Sequence, residues 1–385
     1  MKLALVGVGN AGSRIVNRIR HIEQATGRNL TDGNTALINT TRPDFDTAAK
    51  VPDERRLLIG DVHHEIQGEE IDGDPDLGAE VAREDHSEIL RLFDAIEFSQ
   101  VDGVLVVGGL AGGTGGGAGA VVIEQVASIC DEPVYGLGVL PHETEGSEAA
   151  LNAARSLQSF VSCADNVLAF DNDAWLDDET AATDDYDTAN EELAIRIVTL
   201  FAAGEWDGGI GPENRMDPSD IMRTLDTGGV TSIGYAATDV PRDRGFFAWL
   251  WASAIGRLPW TGNAEDEEPT NAAKINSLVR RATHSQLTLP CAVASAERAL
   301  IMLSGPSEEL SRKGFESGRY WLEQEADTVE VMAGDEPHSK ARKLTATILF
   351  SNVTSVPRID AIQSQGVSVQ EPTSGGMVFE NEVSD

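Results

Sequence analysis

Residues 108–119 read "GGLAGGTGGGAG", eight glycines in twelve positions, immediately after the apolar run "GVLVV". Glycine costs about 0.5–1 kcal/mol relative to alanine inside a helix or strand, so this density implies close approach of backbone to something else. The turn leads into a helical segment starting near residue 115. A helix N-terminus behind such a turn directs backbone N–H groups and the positive end of the helix dipole at an anion.

The same unit recurs through the first half of the chain. Short apolar runs "LALVGV" (3–8), "TALIN" (35–39), "RLLIG" (56–60), "GVLVVGG" (103–109), "PVYGLGVLP" (133–141) and "NVLAF" (166–170) are separated by stretches such as "SEAALNAARSLQSFVSCA" (147–164). Apolar runs without polar alternation, joined by helices, indicate a parallel sheet covered on both faces. In such sheets ligands collect at the carboxyl ends of the strands. A second glycine turn, "GVGNAG" (7–12), falls at that same edge.

The segment "YDTANEELAIRIVTLFAAGEWDGG" (186–209) carries Leu193, Ile197, Leu200 and Phe201 on one helical face, with Thr188 and Glu191 in capping-box spacing. It predicts a helix of about 16 residues, roughly 24 Å long. Beyond it the elements change to an α+β mixture, with helices near 270–284 and 307–326 and strands near 231–238, 297–304, 328–333 and 344–351. The predicted organisation is an α/β, parallel-sheet, Rossmann-like nucleotide domain over 1–185, a long core helix over 186–209, a smaller α+β second domain over 210–360, and a disordered acidic tail over 361–385.

Sixty-four acidic residues against 29 basic ones give a formal net charge of −35, and only six of the basic residues are lysine. Nucleic-acid phosphates would be repelled, so nucleic acid is excluded as a partner. The acids are spread along the whole chain, which fits a protein working in concentrated salt, where the Debye length falls to about 3 Å at 1 M. Cys130, Cys163 and Cys291 lie far apart, so neither a disulfide framework nor a zinc site is implied, and a reducing, cytoplasmic compartment is expected. The chain opens directly on an apolar strand, so no leader is expected. No run of 18 apolar residues occurs; "GFFAWLWASAIGRLPW" (245–260) is read as a core or partner-facing helix.

"GVGNAG" fits G-x-G-x-x-G, the dinucleotide fingerprint. A dinucleotide fold also calls for an acid at the tip of the second strand, where this chain has Asn39-Thr40-Thr41. A Walker loop is excluded because neither glycine stretch carries Gly-Lys-Ser/Thr. Phosphate charge is therefore expected to meet backbone N–H groups, helix N-termini and a cation from solvent.

"GGTGGG" after "GVLVVGG" resembles the tubulin/FtsZ signature GGGTGSG. Longer stretches are similar to the CetZ branch of that superfamily, found in halophilic archaea: "LGAEVAREDHSEI" (77–89), "EPVYGLGVLP" (132–141), "LNAARSLQSFV" (151–161), "FDNDAW" (170–175) and "VPRIDAIQ" (356–363). The resemblance implies the tubulin/FtsZ fold and a GTPase that binds GTP and GDP, with Mg2+ and K+ as candidate cations. It implies subunits that stack head to tail into filaments acting in cell shape, with homologous filament proteins as further partners.

Residue by residue, the resemblance assigns Gly9, Asn10, Ala11 and Gly12 to the first phosphate loop and Asn39 and Thr40 to the loop after the second strand. Gly112, Gly113, Thr114, Gly115, Gly116 and Gly117 match the diphosphate loop. Glu145 falls at a ribose contact and Asn172 at a guanine contact. Tyr186 and Asn190 fall where a ring stacks on the base and an amide reads its edge. An amide carries a donor and an acceptor on one plane, matching guanine's own pattern. Departures are Ala111 for a signature glycine, Gly116 for Ser or Thr, Arg215 before the first acid, Ala149 for an arginine, and the acidic loop holding Glu69, Glu70, Asp72, Asp74 and Asp76. Turnover is expected to be slow.

"RMDPSDIMRTL" (215–225) matches the loop that supplies acids to the neighbouring subunit's nucleotide, placing Asp217 and Asp220 in the catalytic positions. Geometry argues the same way, since Asp217 lies past the far end of a helix about 24 Å long from Tyr186 and Asn190. The competing reading is a nucleotide-holding scaffold that regulates other filaments without efficient hydrolysis. A Rossmann oxidoreductase is the remote third.

Overall fold

The computed structural model describes residues 1–41, 50–61, 63, 71, 73–181, 185–203, 216–240, 271–284, 287–327, 330–338 and 341–370. The apolar stretch 245–260, Glu69, Glu70, Asp72, Arg215 and residues 371–385 lie outside the described residues.

Numbering only helices of eight residues or more, the first half runs β1 (Leu3–Val8), α1 (Gly9–Thr26), β2 (Thr35–Asn39), β3 (Arg56–Leu58), α2 (Pro75–Glu84), α3 (His86–Phe93), β4 (Gly103–Gly109), α4 (Gly119–Ala127), β5 (Val134–Leu140), α5 (Gly146–Cys163) and β6 (Asn166–Asp171). The second half runs α6 (Asp187–Phe201), α7 (Pro218–Leu225), β7 (Val230–Asp239), α8 (Asn271–His284), β8 (Arg298–Gly305), α9 (Arg312–Glu325), β9 (Glu330–Pro337), β10 (Lys343–Ser351) and α10 (Pro357–Gln370). The apolar runs predicted as strands all appear.

The strands form one sheet in the order β3-β2-β1-β4-β5-β6-β7-β10-β8-β9. Its first six strands are parallel, as near-continuous apolar strands require when both faces are covered. Leu3, Leu5, Leu105 and Val107 are buried on one face; Ala4, Val6, Val104 and Val106 are buried on the other. The second half of the chain continues this sheet through β7, which pairs in parallel with β6 at Val167–Val230 and Leu168–Thr231. β10 then runs antiparallel to both β7 and β8.

α6 spans that junction. Its Leu193, Ile197, Leu200 and Phe201 share one core with Leu5 of β1 and with Ile233 of β7, Leu300 of β8 and Leu349 of β10. At 15 residues it is about 22 Å long. The predicted capping box does not form: the helix starts at Asp187, so Thr188 is already inside it, and the Glu191 carboxylate accepts from Arg18 of α1 at 3.4 Å.

Two further boundaries differ from expectation. β9 runs to Pro337 because it pairs in register with the whole of β8, from Arg298–Glu330 to Gly305–Pro337. Residues 361–370, expected to open the tail, are helical instead, since α10 continues to Gln370. Ile362 is 1% exposed, and at Gly366 a Cβ would lie 3.1 Å from the Leu151 side chain, so this helix is held by packing on α5. Its packing contacts were hidden in a polar composition.

Candidate functional site

The two glycine turns meet at the carboxyl edge of the sheet. Gly9, directly after β1, has φ +71°, and a Cβ there would lie 2.9 Å from the Gly115 nitrogen. Only glycine combines that backbone with that approach. Residues 113–118 form a single π-helical turn that leads into α4. Such turns widen a helix locally and recur at functional sites.

Above this junction lies a cavity of about 500 Å³, within the size range of sites for small ligands and cofactors. Gly9, Asn10 and Ala11 line it from one turn, and Gly112, Gly113, Thr114 and Gly115 from the other. Asn39 and Thr40 also line it and brace the first turn against the second. Asn39 donates to the Asn10 side-chain oxygen at 2.8 Å, the Thr40 N–H donates to Asn39 at 2.8 Å, and the Thr40 and Thr114 hydroxyls are 3.0 Å apart.

The remaining lining comes from Glu145, Asn172, Tyr186 and Asn190. Glu145 accepts from the His142 N–H at 2.8 Å and from the Tyr186 hydroxyl at 3.4 Å. Asn172 opens the one-turn helix Asn172–Trp175 after β6 and is buried. The Asn190 N–H donates to the Tyr186 carbonyl at 2.9 Å in the first turn of α6, so both side chains arrive on one rigid element.

Three expected contacts do not line this cavity. A Cβ at Gly12 would come within 2.2 Å of the Val107 carbonyl oxygen, so this glycine lets α1 lie against β4. At Gly117 it would come within 1.9 Å of the Pro75 carbonyl oxygen, where α2 crosses the turn. At Gly116 it would meet the Ser156 Oγ at 2.3 Å, so Ser156 already occupies the space of the missing hydroxyl side chain. The glycine turn 112–117 thus divides into residues facing the cavity and residues packed behind it. Of the acidic loop, Asp74 caps α2 by accepting from the Asp76 and Leu77 N–H groups, and neither Asp74 nor Asp76 lines the cavity.

Arg14 was missed and does line it. It is the one cationic side chain among the described lining residues, so phosphate charge need not rely on backbone and solvent cations alone. The signal was helical spacing: Arg14 stands four residues, one turn of α1, after Asn10. Ile71 and Pro141 also line the cavity without any motif to announce them.

Asp217 and Asp220 lie elsewhere, at the N-terminus of α7. The Ser219 N–H donates to Asp217 at 2.9 Å and the Asp217 N–H to Asp220 at 3.1 Å, a reciprocal capping box. Met216 packs on β9 at Gly334, where a Cβ would lie 2.8 Å from the Met216 methyl. In the sheet, β9 is five strand spacings from β5 at the cavity, about 24 Å at roughly 4.8 Å each.

Beside Asn172, burial raises the Asp171 carboxyl from its ordinary range to about 6, with the Arg358 guanidinium opposing the shift. Asp171 immediately precedes Asn172.

A phosphate-ready edge and an amide-bearing end on one cavity define a nucleotide-binding protein of the doubly wound α/β class. The family model of the tubulin/FtsZ GTPase domain matches residues 2–179, and that of the tubulin-like CetZ C-terminal domain matches residues 178–368. The tubulin-like protein CetZ1 of Haloferax volcanii is 40% identical over 372 residues, 96% of this chain and 93% of the relative. The solved GDP-bound CetZ1 monomer of that organism superposes with a TM-score of 0.81 at 38% identity, covering 96% of this chain and 100% of that one. A GTPγS-bound protofilament of Haloferax volcanii CetZ2 gives 0.81 at 30% identity, covering 97% and 100%. The chain belongs to the tubulin/FtsZ family, in its CetZ branch, and is a cytoskeletal tubulin-like GTPase with a guanine-nucleotide site.

Among the described residues no helix is long and apolar enough to cross a membrane.

Proposed function

We propose that GTP lies with its phosphates against Gly9–Ala11, Gly112–Gly115 and Arg14, and its base against Asn172, Tyr186 and Asn190. Hydrolysis then waits for Asp217 and Asp220 of a second copy to close the site, so that copies stack head to tail and turnover is coupled to assembly. The carrying observation is one of placement: all the expected nucleotide contacts except Gly12, Gly116 and Gly117 converge on one cavity, while the two acids sit across the sheet from it. A carboxylate that orients or deprotonates the attacking water is worth about 10²–10⁴-fold, and the glycine-turn N–H groups and Arg14 offset charge on the transferring phosphoryl.

Mg2+ fits this arrangement. The Thr40 and Thr114 hydroxyls would hold it beside the phosphates, and Mg2+ keeps several waters rather than demanding a protein cage. It would supply neutralisation of phosphate charge; K+ is a further candidate in concentrated salt. The GTPγS-bound protofilament of CetZ2 supports filament formation by this chain, and the family supports a cytoplasmic role in cell shape, alongside homologous filament proteins.

Measuring GTP turnover per subunit against protein concentration in molar KCl tests the reading. Turnover should rise through a threshold. A constant specific activity over a hundredfold dilution would exclude the shared site. The scaffold reading draws on one observation, that both carboxylates are already engaged in capping α7; it expects GTP binding without turnover at any concentration.

A further inference from the structure

The base end of the cavity rests on two loops, one carrying Pro141 and Glu145 after β5, the other carrying Asn172 after β6. A side chain from the last helix of the second domain joins them. Arg358, the second residue of α10, donates from Nε to the Asp171 carboxylate at 3.2 Å and from Nη2 to the Pro141 carbonyl oxygen at 2.8 Å. The pair is enclosed, with side chains 11% and 4% exposed. Other second-domain groups reach the same loop: the Asp171 N–H donates to the Thr288 carbonyl at 2.8 Å, and the Trp175 indole donates to the Leu287 carbonyl at 3.1 Å. Asp171 in turn accepts from the Asp173 N–H at 3.2 Å, starting the turn that aims Asn172.

We propose that Arg358 is the positioning residue of the base end: by bracing Pro141 and Asp171 from α10, it holds Asn172 against the nucleotide and sets how long the nucleotide stays bound. This rests on the guanine-nucleotide reading of the cavity. A guanidinium suits the task because its planar fork serves two acceptors in fixed directions, which an ammonium cannot do. Removing it leaves a buried carboxyl without its counter-charge directly beside Asn172, and the turn must then accommodate either a protonated acid or the water that hydrates a charged one. Burial, which raises Asp171, makes Arg358 the main influence that keeps this carboxyl ionised. Small displacements of a binding group change occupancy far more than they change the fold.

The test compares release of a fluorescent GDP analogue from the unmodified full chain, Arg358→Gln, Arg358→Lys and Ile362→Ala. Ile362 is 1% exposed on the same helix and its apolar side chain makes none of the brace's hydrogen bonds, so its truncation loosens the docking of α10 without deleting them. Arg358→Gln should release the analogue about tenfold faster, the size of effect expected for one lost charge-assisted hydrogen bond. Arg358→Lys should fall between the two and carries the comparison if the glutamine variant does not fold. Ile362→Ala should lower the urea midpoint and leave release as in the parent. Parental release from Arg358→Gln, or equal acceleration by Ile362→Ala, would overturn the assignment. A parent that does not retain GDP would instead overturn the reading of the cavity, and this inference with it.

Discussion

At the N-terminal end of α6, Tyr186 and Asn190 line a cavity completed by turns after β1, β2, β4, β5 and β6. Past its C-terminal end, Asp217 and Asp220 are arranged by hydrogen bonds within their own helical turn and line no part of that cavity. The first region is assembled by long-range packing and stands ready as folded. The second is set by local capping at the start of α7, where Asp217 is exposed and Asp220 half-buried. In the proposed function this separation is what lets one copy's acids meet another copy's pocket.

The sharpest way to break this comparison is Asp217→Asn. Asparagine caps a helix as well as aspartate does, so α7 should be retained while the carboxylate is lost. Hydrolysis should fall by about 10²–10⁴-fold with GTP binding unchanged. Parental turnover by this variant would remove Asp217 from the mechanism.

A second test separates lining glycines from packing glycines within one turn. At Gly112 a Cβ would find nothing nearer than the Gly109 carbonyl oxygen at 3.9 Å, whereas at Gly117 it would sit 1.9 Å from the Pro75 carbonyl oxygen. Gly117→Ala should therefore cost about 1–3 kcal/mol of ligand-free stability or more, as overpacking does, while Gly112→Ala melts like the parent. Equal melting of the two variants would refute the division of the loop.

Asn190→Ala sharpens the base end. GTP should bind about 1–3 kcal/mol more weakly, the range for a buried polar partner left unpaired, and preference over ATP should shrink. Equal affinity of the unmodified protein for ATP and GTP would sink guanine reading by this amide.

The smallest effect concerns Asp171. Its folded value, about 6, lies above the ordinary 3.8, so the folded state holds the proton more tightly than the unfolded chain. The stabilisation is fully present below about pH 4 and is lost as pH rises towards 6, with a slope of at most about 1.4 kcal/mol per pH unit. Urea midpoints between pH 4 and 6.5 should thus show Asp171→Asn gaining on the parent as pH rises. Parallel profiles would show that this carboxyl does not titrate in that window.

Much of this was legible in the residues. "LALVGV", "TALIN" and "GVLVVGG" became β1, β2 and β4 at the predicted bounds, because continuous apolar runs between turns leave little choice but a buried parallel strand. Arg14 was legible too, had helical spacing been carried one turn past Asn10. The extension of α10 was not, since its helix depends on the burial of Ile362 and the approach of Gly366 to Leu151 of α5 rather than on composition. Nor was the fate of Thr188, because the carboxylate expected to complete its capping box went to Arg18 on another helix.

By itself, the sequence determined the strands, the glycine turns at their carboxyl ends and the amides that follow, all features governed by interactions over a few residues. Only the tertiary structure decided which glycines face the cavity and which sit against Pro75, Val107 or Ser156, and that Arg358 reaches back to Pro141 and Asp171. The reason is that steric exclusion and buried ion pairing depend on which distant segments pack together. Local pattern carries no record of that.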